Sequence, residues 1–146
     1  MEWAPRPFFE PLEMSQVSVV ITMICRNEAV NFRSNLRLWF PVVDYFVFMM
    51  DSRNTDDSEE VIGSIMEEGK KEYVIDKHDF TGFGQARTKS LDTAWLHFSK
   101  ATHVIIADPD WRPRINTLDI NQLIAANAEV FRFTVYDRNR ITTRRI

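Results

Sequence analysis

An apolar run near the start of the chain, Val17 to Ile24 (VSVVITMI), indicates the class of fold. The run is rich in β-branched residues and almost continuously apolar, which is typical of a strand buried on both faces of a parallel sheet. Parallel strands need crossover connections, usually helices. The residues that follow should therefore alternate between helices and strands.

Three further short runs predict the other strands of this sheet. The first ends directly at Asp51, and the segments between the runs have apolar residues at helical spacing. We predict an α/β fold over residues 17–146, an open and mostly parallel sheet with helices on both faces, with an extended arm at residues 1–16. The three runs are Tyr45 to Met50, Tyr73 to Ile75 and His103 to Ala107.

Each crossover segment has an apolar stripe that should face the sheet. Pro41 should end the first helix, Asp57 or Ser58 should cap the second, and Gly69 should end it. Beyond Pro113 we expect a helix at 118–126, a strand at 130–136 and a turn at 137–139 that starts a hairpin. The predicted buried residues are Phe32, Leu36, Trp39 and Phe40 in the first helix, Val61, Ile62, Ile65 and Met66 in the second, and Leu91, Ala94, Trp95 and Phe98 in the third.

The composition restricts the class of protein. A chain of 146 residues suffices for one domain, and a net charge of −3 argues against nucleic-acid binding. Without a basic surface, an anionic ligand needs a metal ion or well-placed arginines. A single cysteine, Cys25, permits no intrachain disulfide. We see no signal peptide and no membrane span, and expect a cytoplasmic protein.

Three polar segments follow predicted strands and should meet at the carboxyl edge of the sheet: CRNE, DSRN and DPD. In the last of these, within THVIIADPDWRP, Asp108 and Asp110 are separated only by Pro109. Two carboxylates at this spacing can face one hard cation and the phosphates that it carries. The same triplet also occurs in solvated turns, so by itself it leaves both interpretations open.

Several nucleotide and hydrolase sites are excluded by missing residues. The turn after the first strand, CRNEA, has no glycine, which argues against a dinucleotide fold, and no GxxxxGK segment occurs. An EF-hand starting at Asp51 would place Arg53 and Thr55 at ligand positions. There is no GxSxG elbow, and Cys25 has no catalytic context. A nucleotide-diphosphate site organised by a metal remains.

Five segments in order resemble the family 2 glycosyltransferases: VSVVITMICRNEAVNFRSNL, MMDSRNTDDS, DFTGFGQARTKSLDTA, VIIADPDWRP and FRFTVYDRNRITTRRI. The resemblance implies a GT-A fold with a DxD motif and a nucleotide-sugar donor, such as a UDP-sugar. Two positions depart from the family pattern. Arg53 stands where the family usually has glycine, and Thr88 stands where it has asparagine.

The resemblance also implies roles for individual residues. Asp51 would accept a hydrogen bond from the donor's base, and Arg87 would support the base end of the site. Asp108 would lie towards the ribose and the metal, and Asp110 would bind the Mg²⁺ or Mn²⁺ that bridges the diphosphate. The residues that would line the nucleotide pocket are Ile24, Cys25, Arg26 and Asn27.

Each role has a structural alternative that the sequence leaves open. Asp51 can serve as a turn cap, Arg87 as a surface residue, and Glu28 as a first-turn helix charge. The two loop glycines can serve loop geometry alone. His78, His97 and His103 are expected to be structural or surface residues.

The acceptor half of a glycosyltransferase is not found in the sequence. Only 36 residues follow Asp110, and their carboxylates, Asp119, Glu129 and Asp137, match no general base of the family. We therefore expect a donor-binding portion truncated at its C-terminus, with transfer weak or absent in this segment. The alternatives are a non-catalytic nucleotide-binding or degenerate interaction module, and a nucleotidyltransferase, which would need a glycine- and arginine-rich loop after the first strand.

Overall fold

The computed structural model describes residues 17–113, 132–137 and 140–145. Four parallel strands form one sheet in the order β3-β2-β1-β4, which confirms the predicted α/β class. The strands are β1 (Val19–Cys25), β2 (Tyr45–Asp51), β3 (Glu72–His78) and β4 (His103–Ile106). The helices are α1 (Ala29–Asn35), followed by a 3-10 turn (Leu36–Trp39), α2 (Ser58–Glu68) and α3 (Phe83–His97).

A separate antiparallel pair confirms the predicted hairpin near the C-terminus. Strand β5 (Arg132–Asp137) pairs with β6 (Arg140–Arg145), and Asp137 lies opposite Arg140. The predicted arm at 1–16, the predicted helix at 118–126 and turn residues 138–139 lie outside the described residues.

The sheet is covered on both faces, as predicted. Alternate residues of β1 and β2 face α1 and α2, where the predicted stripe of α2 is fully confirmed and Phe32, Leu36 and Trp39 are buried. Phe40 is only half-buried, beyond the 3-10 turn. The other face is a smaller cluster of Val20, Val47, Met49, Ala94 and Ala101.

The buried face of α3 differs from the prediction. Leu91, Trp95 and Phe98 are half-buried, and only Ala94 of the predicted set is buried. The helix contacts the sheet through a stripe of small residues, Ala86, Ser90, Thr93 and Ala94. Small residues at this spacing let the helix approach the sheet, and the larger side chains lie beside the contact. The buried hydroxyls are satisfied, since Thr93 Oγ1 donates to Asp76 Oδ2 at 3.0 Å and Ser90 Oγ donates to the Arg87 carbonyl at 2.7 Å.

Strand β3 is longer than its apolar run. It continues through Asp76 and Lys77 to His78, because these polar side chains have partners on the two covering helices. Asp76 accepts the hydrogen bond from Thr93 of α3, and Lys77 pairs with Glu59 of α2 at 2.7 Å. The extension brings the end of β3 level with the end of β2, where His78 is the register partner of Asp51.

Gly69 follows the last residue of α2, as predicted, but for a different reason. Its φ of −82° is helical, and the left-handed residue is Lys70 with φ 52°. A Cβ at position 69 would lie 2.7 Å from Cζ of the Phe40 ring. That ring is held edge-on against Phe46, with centroids 5.9 Å apart, and under Lys71 Nζ. Glycine is therefore required by close approach rather than by backbone conformation.

Alanine substitution should change the free energy of unfolding in opposite directions at Gly63, inside α2, and at Gly69, its C-cap. Gly69→Ala forces Phe40 to move and should lower the free energy of unfolding by about 1–3 kcal/mol. Gly63→Ala places a methyl at ordinary contact distance, 3.5 Å from Tyr73 Oη, in a helix interior. It should raise the free energy by about 0.5–1 kcal/mol. Urea denaturation of both variants checks this, and equal effects would contradict the packing at Phe40.

Candidate functional site

The order of the strands fixes the place of the candidate site. The chain runs from β1 outward to β3 and then returns to β4 on the other side of β1. Ligands of such sheets bind outside the carboxyl ends of the strands where this reversal occurs. Here the reversal lies between β1 and β4, so the loop that begins CRNE and the DPD segment flank it, and the DSRN loop is one strand away.

The loops after β1 and β2 are clamped together by Asn27. Its carboxamide oxygen accepts hydrogen bonds from the backbone N–H of Thr55 at 2.8 Å and of Asp56 at 3.1 Å. In return, its own backbone N–H donates to Asn54 Oδ1 at 2.7 Å. Asn27 adopts φ 53°, a left-handed conformation that asparagine tolerates better than most residues. Its side chain is therefore occupied in shaping the edge.

The clamp is reciprocal, because the second loop caps the helix that follows the first. Asp56 Oδ2 accepts from the Ala29 N–H at 3.1 Å, and Ser58 Oγ accepts from the Glu28 N–H at 3.0 Å. Asp56 Oδ1 also accepts from the Ser58 N–H at 2.9 Å, whereas Asp57, the N-cap residue of α2, makes no side-chain cap hydrogen bond. Burial raises the pKa of Asp56, but the hydrogen bonds from Ser58 and Ala29 outweigh it and leave that pKa lowered.

Asp51 ends β2 as a buried carboxylate, 4% exposed, and it is held by Arg53. Arg53 Nη2 donates to Oδ2 at 2.8 Å, Nε donates to Oδ1 at 3.2 Å, and the Arg53 backbone N–H donates to Oδ1 at 3.0 Å. These hydrogen bonds, first of all those of the side chain, lower the pKa of Asp51 to about 2. The side chain of Arg53 is 58% exposed. Asp51 is therefore ionised, and both of its carboxylate oxygens accept hydrogen bonds from the guanidinium of Arg53.

Asp51 lies on the α3 face of the sheet, with charged and polar neighbours. Val47 and Met49 point to that face, so Asp51 does too. Arg26, exposed at the end of β1, also helps to lower the pKa of Asp51. Both ring nitrogens of His78 are buried without a hydrogen-bond partner among the described residues. Because these nitrogens are closed to solvent, we assign no ligand contact to His78.

The remaining residues predicted to line the pocket differ in what they can offer. Ile24 is half-buried against the α3-side cluster. Cys25 is buried on the opposite face, where Sγ lies 3.7 Å from the Met49 carbonyl, and burial is the main cause that raises its pKa to about 12. Cys25 can therefore contribute backbone atoms only, and its thiol is neither a nucleophile nor a thiolate ligand.

Arg87 lies in the second turn of α3, whose N-terminus follows the end of β3 at the same edge. The residue is half-buried. Its guanidinium makes no hydrogen bond or ion pair with another residue in the described part of the chain, whereas its carbonyl accepts from Ser90. Arg87 thus lies in the N-terminal part of α3, with its side-chain donors uncommitted within the described ranges.

The DPD segment forms a β-turn directly after β4. The Trp111 N–H donates to the Asp108 carbonyl at 3.1 Å, which places Pro109 at the second position of the turn, where proline is favoured. The buried amide of Asn35 fixes the turn to α1: Nδ2 donates to the Pro109 carbonyl at 3.2 Å, and Oδ1 accepts from Arg112 Nε at 2.9 Å. Asp108 is half-buried and Asp110 is exposed.

The carboxylates of this turn fit a hard cation by their chemistry. Asp108 and Asp110 accept no side-chain hydrogen bond and form no ion pair within residues 17–113, so their carboxylates have no partner in this range. No group of three His, Cys, Asp or Glu side chains suited to a metal occurs in the described ranges. A cation here would have two protein carboxylates at most and would need oxygen ligands from a substrate and water.

The site is extended rather than compact. Asp51 and Asp108 follow strands that flank β1, so two strand spacings, roughly 10 Å in all, separate them. One cation cannot bind both, but an elongated ligand across the end of β1 can reach both. A groove of about 500 Å³ lies elsewhere, between α1 and α2, and its walls include Arg33, Arg37 and Ser64.

The fold and this edge define an α/β domain of the doubly wound type. Comparisons with models of protein families, with curated proteins and with solved structures found no match. No helix of the described residues combines the length and apolarity that crossing a membrane requires.

Removing the side chain of Asn27 should loosen the edge. In Asn27→Gly the left-handed backbone is retained, but the acceptor for Thr55 and Asp56 is lost. We expect the free energy of unfolding to fall by about 1–3 kcal/mol. Asn31→Ala is the control, because within the described residues the Asn31 side chain bonds just to the neighbouring Glu28, and it should change the free energy by less than about 0.5 kcal/mol. Equal losses would contradict the clamp.

The Asp51–Arg53 contact predicts a specific dependence of stability on pH. The folded pKa of Asp51, about 2, lies below its ordinary value of 3.8, so the folded state binds fewer protons between these values. The stabilisation is present above pH 3.8 and is lost as the pH falls towards 2. The difference in unfolding free energy between the wild type and Asp51→Asn should therefore shrink across this range. Denaturation at several pH values measures it, and a constant difference would contradict the contact.

Proposed function

We propose that this domain binds a nucleotide-diphosphate sugar, in particular a UDP-sugar, together with Mg²⁺ or Mn²⁺, as the donor site of a glycosyltransferase of the family 2 type. The observation that carries the proposal is the pairing of two acidic positions around the end of β1. A buried carboxylate, Asp51, stands on one side, and the Asp108–Asp110 turn stands on the other.

The separation of these positions supports a ligand with two chemically different ends. A carboxylate is an acceptor for the N–H group of a nucleobase. The turn offers open carboxylate oxygens to a cation, and a divalent cation neutralises a diphosphate. A span of roughly 10 Å between the two positions suits a nucleotide laid across the strand between them better than it suits a lone metal ion.

The small number of protein ligands supports a cation that arrives with its substrate. Mg²⁺ is commonly bound through one or two carboxylates plus substrate phosphates, keeping several waters. Asp108 and Asp110 match that pattern, and within the described ranges no third acidic, histidine or cysteine ligand joins them. In glycosyl transfer such a cation stabilises the charge that develops on the leaving diphosphate.

In this proposal the side chains of the chain bind and orient the donor. Asp51 would accept a hydrogen bond from the nucleobase, and Arg87 would supply guanidinium donors at the same end. The backbone of residues 24–27 would line the nucleotide pocket. A general base for an acceptor hydroxyl is a further requirement for transfer. Of the carboxylates after the turn, Asp119 and Glu129 lie outside the described residues, and Asp137 ends β5.

A non-catalytic nucleotide-binding module is the second candidate, and one observation favours it. Arg53 already satisfies the carboxylate that the base would use. If Arg53 keeps the Asp51 carboxylate occupied, the domain retains the fold but binds nucleotide weakly. Such a domain would bind without turnover. Measured affinity for nucleotide, with and without metal, separates the two candidates.

Calorimetry with UDP and Mn²⁺ tests the proposal. We expect binding only when both are present, because the two carboxylates alone give the cation too few ligands. Asp110→Ala should weaken this binding by at least tenfold, since removal of one of two carboxylate ligands leaves the cation with a single one. Mn²⁺ alone should show no measurable binding.

Asp92→Ala is the matched control, because Asp92 is an exposed aspartate on α3. It should leave the affinity for UDP and Mn²⁺ unchanged, and circular dichroism should show the same fold for both variants. Absence of any metal-dependent nucleotide binding in the wild-type chain would refute the donor site. Equal affinity in wild type and Asp110→Ala would refute the role of the turn.

A further inference from the structure

Arg53 stands between Asp51 and any ligand at the carboxyl edge. The side chain of Asp51 is 5% exposed, whereas that of Arg53 is 58% exposed. Two guanidinium nitrogens span the carboxylate, Nη2 at 2.8 Å from Oδ2 and Nε at 3.2 Å from Oδ1. The carboxylate is therefore shielded on its open side by a side chain that is itself largely in solvent.

The Asp51 carboxylate can accept few further hydrogen bonds. Oδ1 also accepts from the Arg53 backbone N–H at 3.0 Å, and Nε lies 3.3 Å from Oδ2. An incoming N–H donor must therefore take the place of the guanidinium. The Arg53 side chain can leave, because its guanidinium is the exposed partner of the pair and passes readily into water, and the backbone N–H would remain as a partner for Asp51.

We infer that Arg53 is an internal competitor at the base end of the donor site, which lowers nucleotide affinity by occupying Asp51 until a base displaces it. This inference rests on the proposed function. It assigns to Arg53 a role in setting affinity, and it makes the contact with Asp51, rather than the metal turn, the determinant of how tightly the nucleoside part binds.

Substitution of Arg53 should tighten nucleotide binding. In Arg53→Ala the backbone donor to Asp51 remains and the side-chain donors are gone. We expect the affinity for UDP with Mn²⁺ to rise by at least about twofold, because the base no longer has to displace the guanidinium from the Asp51 carboxylate. Arg53→Lys keeps the charge but not the planar fork, so its affinity should lie between those of the wild type and Arg53→Ala.

Two controls separate this effect from a general change in charge. Arg37 is a similar half-exposed arginine, whose Nε and Nη2 both donate to Glu68 Oε2 at 3.0 and 2.8 Å. Arg37→Ala should leave UDP affinity unchanged. Inorganic pyrophosphate with Mn²⁺ has no base, so its affinity should be the same in the wild type and Arg53→Ala.

The outcomes distinguish this inference from the proposed function. If the wild type binds UDP with Mn²⁺ and Arg53→Ala binds equally or more weakly, the competitor role is overturned and the donor site stands. If Arg53→Ala raises the affinity for pyrophosphate as much as it raises the affinity for UDP, the effect does not arise at the base. The inference is then again overturned. If neither the wild type nor the Arg53 variants bind, both proposals are overturned. Binding of UDP with Mn²⁺ that the wild type shows, and that tightens in Arg53→Ala while the affinity for pyrophosphate stays the same, supports both.

Discussion

The candidate edge depends on one reciprocal contact, the clamp between the loops after β1 and β2. Asn27 accepts hydrogen bonds from Thr55 and Asp56 near the end of the second loop, and Asp56 and Ser58 accept from the start of α1. Each loop supplies the partners that the backbone of the other lacks. The pairing explains how a turn without glycine can still hold a sharp left-handed bend, since asparagine adopts it and is fixed there by its own side chain.

Much of the sheet follows from apolar runs that can be recognised in the sequence. Each strand of the parallel sheet was predicted from such a run. The stripe of α2 was predicted completely, because large apolar residues at helical spacing form the face of a helix that is buried against the core. The prediction for α3 was wrong where contact depends on small residues and satisfied hydroxyls, which carry little hydrophobic signal. The length of β3 depends on Asp76 and Lys77, whose partners are distant in sequence.

The candidate site, like the sheet, has features that the sequence predicts and features that depend on tertiary contacts. The positions of Asp51 and of the DPD turn follow from the ends of strands, which the sequence reveals. The contact between Asp51 and Arg53, the burial of the Cys25 thiol and the tie from Asn35 to Pro109 do not. Each is decided by side-chain direction and tertiary packing rather than by local pattern. Gly69 is the sharpest example, because its place after α2 was predicted whereas its cause, the Phe40 ring, lies 29 positions earlier.

Helix α1 acts as a strut between the two halves of the candidate site. Its N-terminal end is fixed to the loop after β2 through Ala29, and its C-terminal residue, Asn35, holds the turn after β4. Seven helical residues span about 10 Å, similar to the two strand spacings beneath them. The scaffold around the edge is thus preorganised, and a ligand that crosses β1 would need to reorder only solvent-exposed side chains such as Arg53 and Asp110.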